Sequence, residues 1–580
     1  MTDRAAIADA LDEIALLLEL AGENPFKSRA YSSGARILRS LDADPAELIR
    51  TRSLGQIKGI GPALAEKIAV LATTGSLPYL DALRTRIPAG LLDWLKVPGL
   101  GPKKARVIHV TLGIATLDEL EAAAREGRLR DLGGFGGATE KKILEGIERV
   151  RAHAGRYLRP VILAEAGRLL ARIAAAPGVV RAAIAGSVRR CVETSKDIDI
   201  VAASADAAAV MEAFASDPHV AEVTGRGPTK CSVRLVSGPA ADLRVVPDVS
   251  FAAAMCYFTG SKAHNVALRG RAQRRGLTLN EYALTRTADG TAIPCEDEAA
   301  VYGALGLPFI PPELREDAGE IEAAEAGRLP KLLELSDLRG ILHCHSTWSD
   351  GVATIQEMAD AARALGMGYL GLCDHSRSAA YAGGMSIERV REQHAEIDRI
   401  NRAYDGAFRV LKGIEVDILA DGTLDYPDEV LASFDLVVAS VHSRFNLTAE
   451  EQTARMIRAT GSPYVDIVGH PSGRILLTRD AYPLDLDAVV AAAAERGVAV
   501  EVNAHPNRLD LDPVSLRRGL AKGLTTSIDP DAHRTDELPF VGYGVETARR
   551  GWASAADVLN ARPLPELSAW LSARRARAMA

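Results

Sequence analysis

Apolar positions in the first 50 residues recur with the period of a helix, with Ile7, Leu11, Ile14, Leu17 and Leu18 along one face. Three segments then repeat a different pattern. IKGIGPALAEKI (57–68), VPGLGPKKARVI (97–108) and LGGFGGATEKKIL (132–144) each set a Gly-x-Gly turn before a helix start bearing Lys or Arg. Between 160 and 315 the pattern is mixed. A helical stretch near 161–175 precedes strand-like runs near 181–185, 197–202, 231–236 and 241–246. The acidic, alanine-rich, proline-broken stretch 317–336 reads as a linker. From 337 onward, apolar strand-like runs alternate with helical segments, which predicts a parallel α/β domain. The chain is therefore expected to be multidomain. Two helical pieces (1–80 and 81–155) precede an α/β region (156–250), a basic turn-rich piece (251–316), the linker and a large domain over 337–580.

The repeated turns predict helix-hairpin-helix motifs. Gly59, Gly61, Gly99 and Gly101 permit a tight turn with positive φ. The turn's N–H groups and the next helix N-terminus then suit a phosphate. Such a grip takes hold of a sugar-phosphate backbone without reading bases.

Composition narrows the class. The 580 residues are 47% hydrophobic and 25% charged, ordinary for globular protein with several cores. No apolar run reaches the length of a membrane span, and the acidic, amphipathic N-terminus does not read as a signal peptide. Six cysteines form no CxxC pair and read as reduced thiols of a cytosolic protein. The net charge of −7 hides an asymmetry: residues 51–200 carry 24 Lys+Arg against 15 Asp+Glu, residues 341–580 carry 25 against 33. A basic front and an acidic back fit a polyanion-binding part joined to a cation-binding part.

Chemistry concentrates in two places. In AGSVRRCVETSKDIDIVA, Asp197 and Asp199 lie at i and i+2 of a predicted strand and share a face, a pair that suits Mg²⁺. Upstream, Gly186 and Ser187 open a turn whose N–H groups suit a phosphate, and Arg189 and Arg190 add charge. A two-metal nucleotidyl-transfer site needs a third acid from a neighbouring strand, and Asp242 in AADLRVVP is the candidate. The second place is 341–533. Strand-like runs there end in His343 and His345 (with Asp350 following), His375, Glu415, His442, His470, Glu501 with Asn503, and Asp531 with His533. In a β/α barrel such strand ends share one face, and mixed imidazole and carboxylate suit Zn²⁺, Mn²⁺ or Fe²⁺.

Together with YFTGSKAHNVALRGRA and GLTLNEY, the Gly-Ser turn and the acids resemble the family-X DNA polymerases of the DNA polymerase beta type, over residues 1–315. The resemblance implies a nucleotidyltransferase palm with thumb. Asp197 and Asp199 would bind two Mg²⁺ or Mn²⁺, and Asp242 would complete the ion at the primer 3′-hydroxyl. Ser187 and Arg190 would contact the triphosphate and Lys230 the strand backbone. Tyr257 and Phe258, in the run with Gly260, would line the sugar pocket, and Asn265 and Arg269 would touch the nascent pair. Lys67 falls at a lyase Schiff-base position, with Lys27 and Tyr31 in its 5′-phosphate pocket. Three positions depart from the family: Lys196 and Cys191 replace glycines, and Ala240 replaces an arginine beside the third acid. Lys196 is read as a substitute phosphate contact.

The C-terminal pattern resembles the polymerase-and-histidinol-phosphatase (PHP) domain, a distorted seven-stranded β/α barrel. The resemblance implies nine ligands (His343, His345, Asp350, His375, Glu415, His442, His470, Asp531 and His533) for up to three divalent ions, with Glu415 bridging and Asp350, His375 and His533 serving the third. It implies a bacterial repair polymerase, cytoplasmic and nucleoid-associated, monomeric, acting on gapped or nicked DNA with deoxynucleoside triphosphates. Its second activity would be a 3′-5′ exonuclease or abasic-site endonuclease. The alternative is a repair nuclease whose weak polymerase half mainly positions DNA.

Overall fold

The computed structural model of the chain describes residues 4–40, 45–51 and 53–579. Residues 1–3 and 41–44, within the stretch expected to be helical, lie outside the described residues. The chain divides into two compact units, Met1–Ala154 and Gly155–Ala580. No helix among the described residues is long and apolar enough to cross a membrane.

The first unit is helical. Ile7, Leu11, Ile14 and Leu17 bury one face of the helix Arg4–Ala21 in a core shared with Trp94, Ile108 and Ile143. All three Gly-x-Gly turns lead into helices: Pro62–Thr74, Pro102–Leu112 and Gly137–His153. The first glycine of each turn takes positive φ (96° at Gly59, 80° at Gly99, 87° at Gly134). The second glycine is the helix N-cap, extended and without a capping side chain. A Cβ at Gly61 or Gly101 would meet no protein atom. The space these glycines keep clear is therefore outside the protein, in front of unsatisfied helix N–H groups.

In the second unit a five-stranded sheet runs in the order Val179–Ile184, Asp197–Ser204, Ala240–Val246, Lys230–Leu235, Val220–Arg226. Alternation along Asp197–Ser204 sorts its two faces. Ile198, Ile200 and Ala202 pack with Ile162, Leu169 and Phe214 of the helices on one side. Val201 and Ala203 pack with Phe251, Ala254 and Met255 on the other. Asp197 and Asp199 share that second face, at the end where the strand begins.

The helices Phe251–Thr259 and Lys262–Arg274 and a three-stranded sheet follow. The stretch 317–336 departs from the expected linker. It contains the helix Glu320–Glu325, and Ile321, Ala324 and Leu332 pack into the core of the preceding piece. Its acidic character misled because Glu320 is buried for a reason: it accepts hydrogen bonds from the N–H groups of Asp317 and Ala318 and lies 2.5 Å from Nδ1 of buried His264.

Seven parallel strands then follow in sequential order, from Gly340–Cys344 to Thr526–Asp529. A bridge between Cys344 and Ala532, and the Leu342 N–H donated to Asp529 Oδ1 at 2.6 Å, bring the last strand beside the first. The barrel is braced on the palm by ion pairs. Arg159, buried, pairs with Glu546 and donates to the carbonyl of Val188. Arg474 pairs with Glu193 at 2.6 Å.

Candidate active sites

The palm acids sit on adjacent parallel strands, with Asp199 directly opposite Asp242 in register and Asp197 opposite Ala240. Burial, then the charges of Asp197 and Asp242, push the Asp199 carboxyl up to about 7. Clustered carboxylates that resist joint ionisation form a donor set that fits hard divalent cations. The fit is looser than in the barrel: among the described residues, groups of three ligands with all donor atoms within 4.8 Å occur only there. Lys230 lies 2.7 Å from Asp242. This lysine, expected on strand backbone, reaches Asp242 from the adjacent strand, where the register sets it opposite Arg244.

Gly186 is required where it stands. Its φ is +61°, and a Cβ there would lie 2.0 Å from Asp199 Oδ2. The turn continues as the short helix Gly186–Arg189, and Ser187 Oγ donates to Ser195 Oγ at 2.8 Å. Arg189 is held by Thr259 Oγ1 (2.6 Å) and Glu298 (2.5 Å). Arg190 donates to Glu316 (3.0 Å) and to the Thr259 carbonyl (2.6 Å). Both guanidiniums thus tie the turn to the thumb side. Gly260 gives Arg190 room, since a Cβ there would lie 3.2 Å from its Nη1. Cys191 adopts φ +58°, the left-handed conformation that favours glycine. Its sulfur lies 3.3 Å from Arg159 Nη2. Lys196 is exposed next to Asp197. Tyr257 and Phe258 meet edge-to-face at 5.1 Å, and Asn265 Nδ2 donates to the Tyr257 carbonyl at 2.6 Å. Tyr257 and Arg269 line a cavity of ≈ 210 Å³ with Gln273, Asn280 and Glu281.

In the barrel, every ligand candidate stands at or just past the C-terminal end of a strand. Glu415 is the hub. Its Oε1 lies 2.9 Å from His470, 3.2 Å from His442 and 3.6 Å from His343. Its Oε2 lies 2.9 Å from His375 and 3.8 Å from His345. Asp531 lies 3.0 Å from His345, and Asp350 lies 3.6 Å from His375 and 3.3 Å from His533. Asp350, His375 and His533 form one tight group with His345. Two buried carboxylates outside the predicted set orient the rings: Glu501 lies 2.7 Å from His343 Nδ1, and Asp417 lies 2.6 Å from His442 Nδ1. Each leaves the other ring nitrogen facing the cluster.

Charges in this cluster compensate one another. Burial lowers the imidazole pKa values, yet the carboxylates overcome it. His375 is raised to about 10 by Glu415 and Asp350, His442 to about 9 by Glu415 and Asp417, and His533 to about 9 by Asp350 and Asp531. His345 is pushed down to about 3 by burial and then by the charge of His533. Glu415 and Asp531 are held well below the usual carboxylate range, despite burial, by the surrounding imidazoles. Nε2 of His343, Nδ1 of His345 and Nδ1 of His470 are buried without a hydrogen-bond partner. Orphaned imidazole nitrogens beside carboxylates make a donor set that fits transition-metal ions.

Family models match four stretches of the chain: a helix-hairpin-helix domain over 2–77, a SAM-like helix-hairpin-helix tandem over 91–149, a DNA polymerase beta thumb over 254–316 and a PHP domain over 342–505. The DNA polymerase/3′-5′ exonuclease PolX of Bacillus subtilis is 37% identical over 97% of this chain and 98% of its own length. The chain belongs to the PolX family of DNA polymerase/3′-5′ exonucleases. Shorter stretches of the chain are also similar to probable phosphatases. That of Acetivibrio thermocellus is 35% identical over 28% of this chain and 64% of its own length; that of Caldanaerobacter subterraneus is 31% identical over 21% and 50%.

In this PolX-family chain the helical unit also gathers the lysines singled out in the sequence. Lys67 Nζ lies 5.8 Å over the Tyr31 ring and 5.1 Å over Tyr79, and Lys27 Nζ lies 5.4 Å over Tyr79. Tyr79, which stacks on Tyr31 at 6.2 Å, carried no recognisable sequence signal. His505, outside the ligand pattern, packs edge-on against Phe540.

Proposed function

We propose that this chain fills short DNA gaps by template-directed nucleotidyl transfer and trims 3′ ends, or cuts at abasic sites, with its barrel. The supporting observation is the coexistence of two donor sets of different chemistry, carboxylates in register on the palm sheet and overlapping groups of imidazoles and carboxylates at the barrel mouth. The expected ions are two Mg²⁺ or Mn²⁺ in the palm and up to three Mn²⁺, Zn²⁺ or Fe²⁺ in the barrel; when bound they stabilise charge on an in-line phosphoryl transition state and make water or a 3′-hydroxyl a competent nucleophile. In the palm, Asp197, Asp199 and Asp242 hold the reacting groups, the Gly186–Ser187 turn receives phosphate, and the cavity beside Tyr257 and Arg269 receives the nascent pair. In the barrel, water attacks the terminal phosphodiester, the bond to the upstream 3′-oxygen breaks, and that oxygen takes up a proton. Substrates are gapped or nicked duplexes and deoxynucleoside triphosphates, bound by a monomer of the bacterial cytoplasm and nucleoid. Lys67 would act as a lyase nucleophile on a 5′-deoxyribose phosphate.

The Lys230–Asp242 pair and the engagement of Arg189 and Arg190 favour, as a second reading, a weak polymerase that mainly positions DNA for the nuclease. Extension of a primer across a one-nucleotide gap and digestion of abasic and 3′-mismatched duplexes, comparing Asp197→Ala with His343→Ala, tests both. The leading reading expects extension lost only in Asp197→Ala and digestion lost only in His343→Ala. Digestion without measurable extension in the unsubstituted protein would leave only the second.

A further inference from the structure

The entrance of the barrel carries side chains that the ligand set does not use. Tyr381, in the turn Ala380–Ala382, is 73% exposed, and its ring centroid lies 6.4 Å from that of His375. Tyr381 thus sits between open solvent and the cluster.

Arg508 follows the strand Ala499–Asn503. Its Nε lies 3.6 Å from Asp531 Oδ2, and among the described residues its guanidinium makes no hydrogen bond. The backbone that presents it is fixed, because Arg474 donates to the Arg508 carbonyl at 3.0 Å and is tied to Glu193 of the palm. Arg479 is engaged elsewhere, donating to the Gly473 carbonyl at 3.0 and 2.7 Å and lying 4.8 Å over Phe445. A guanidinium without a hydrogen bond at the rim of a cation-binding cluster suits an anion. A phosphodiester supplies that anion. The distance from Tyr381 to the cluster is within reach of one nucleotide, from its base to its own 5′-phosphate.

We propose that Tyr381 and Arg508 form a subsite for the terminal nucleotide of the strand being degraded. Tyr381 stacks on the base, and Arg508 binds a phosphate oxygen. The proposal rests on the nuclease reading of the barrel. Stacking tolerates every base, so the subsite selects an unpaired end rather than a sequence.

Two measurements test it. In the first, thymidine 5′-(p-nitrophenyl phosphate), which carries a base, is compared with methyl p-nitrophenyl phosphate, which does not, in Mn²⁺. Tyr381→Leu is expected to lower the kcat/KM preference for the nucleoside ester about 5- to 100-fold, mainly through KM, while Tyr381→Phe keeps it. Arg508→Ala is expected to raise KM for both esters. In the second, full-length protein stripped of metal with EDTA is titrated with 2-aminopurine deoxyriboside 5′-monophosphate. Fluorescence quenching is expected with the unsubstituted protein and Tyr381→Phe and is expected to be lost in Tyr381→Leu. An unaltered preference and unaltered quenching in Tyr381→Leu would overturn the subsite, as would equal damage from Tyr381→Phe. If no ester is hydrolysed, the nuclease reading fails separately, and the quenching still decides the subsite.

Discussion

The two metal-fitting sites neutralise charge in opposite ways. In the palm, carboxylates crowd one another: Asp199 is pushed up to about 7 by burial and its acidic neighbours, and Lys230 is the cation that meets Asp242. In the barrel, five imidazoles surround Glu415, and the cluster balances itself. The difference is that the barrel donors find charged partners among themselves, whereas the palm carboxylates mostly face one another and depend on what binds to complete the site. An incoming triphosphate brings ions and negative charge together, which suits a site that must refill on every turnover.

The strongest way to break the comparison is to cut out the hub. Glu415→Gln should lower 3′-end degradation on the order of 10³-fold, while gap filling stays within about twofold, measured on the same gapped duplex. A similar loss of gap filling would show that the sites are not separate. Next, Glu501→Gln, which leaves His343 without its buried carboxylate, should weaken barrel metal affinity about 10- to 100-fold, read by competition with a chelator.

The pH dependence sharpens the same contrast. Unfolded imidazoles titrate near ~6.5. In metal-free protein His375, His442 and His533 keep their protons up to about 9 to 10. Their stabilisation is full below the unfolded value and is lost as pH rises through the folded ones. Melting in EDTA should therefore fall between roughly pH 7 and 10, and Mn²⁺, which displaces those protons, should bind more tightly over the same range. In the palm the sign differs in origin. Asp199 is raised, so below about pH 7 a proton competes with Mg²⁺ and polymerisation should drop up to about tenfold per pH unit. The smallest expected effect is at Lys196. If its exposed ammonium contacts phosphate, Lys196→Gly should raise KM for the nucleotide about fivefold; higher incorporation efficiency would mark it as an obstruction.

Much of both sites was legible because their chemistry is local. A ligand at a strand end follows an apolar run, so His375, His442 and His470 announce themselves. Gly186 and the two aspartates fall within one short motif. What escaped depends on partners distant in sequence. The strand Val220–Arg226 is an edge strand with mostly exposed side chains, so no apolar alternation marked it. The helix Glu320–Glu325 looked like linker because its buried carboxylate is satisfied by His264, 56 residues away. Lys230 was read as a grip on strand backbone; its ion pair with Asp242, which the register places opposite Ser232, has no signal in the sequence. Cys191 stands where the resembling family carries glycine, and its left-handed φ supplies the physical reason.

The most direct test is to count Mn²⁺ bound to the full chain by equilibrium dialysis, first without and then with DNA and nucleotide, in the unsubstituted protein, Asp199→Asn and His343→Ala. The account predicts ions bound without substrate that vanish in His343→Ala and persist in Asp199→Asn, and further ions on adding gapped DNA and nucleotide that vanish only in Asp199→Asn. Substrate-free ions that disappear in Asp199→Asn, or that survive in His343→Ala, would contradict it.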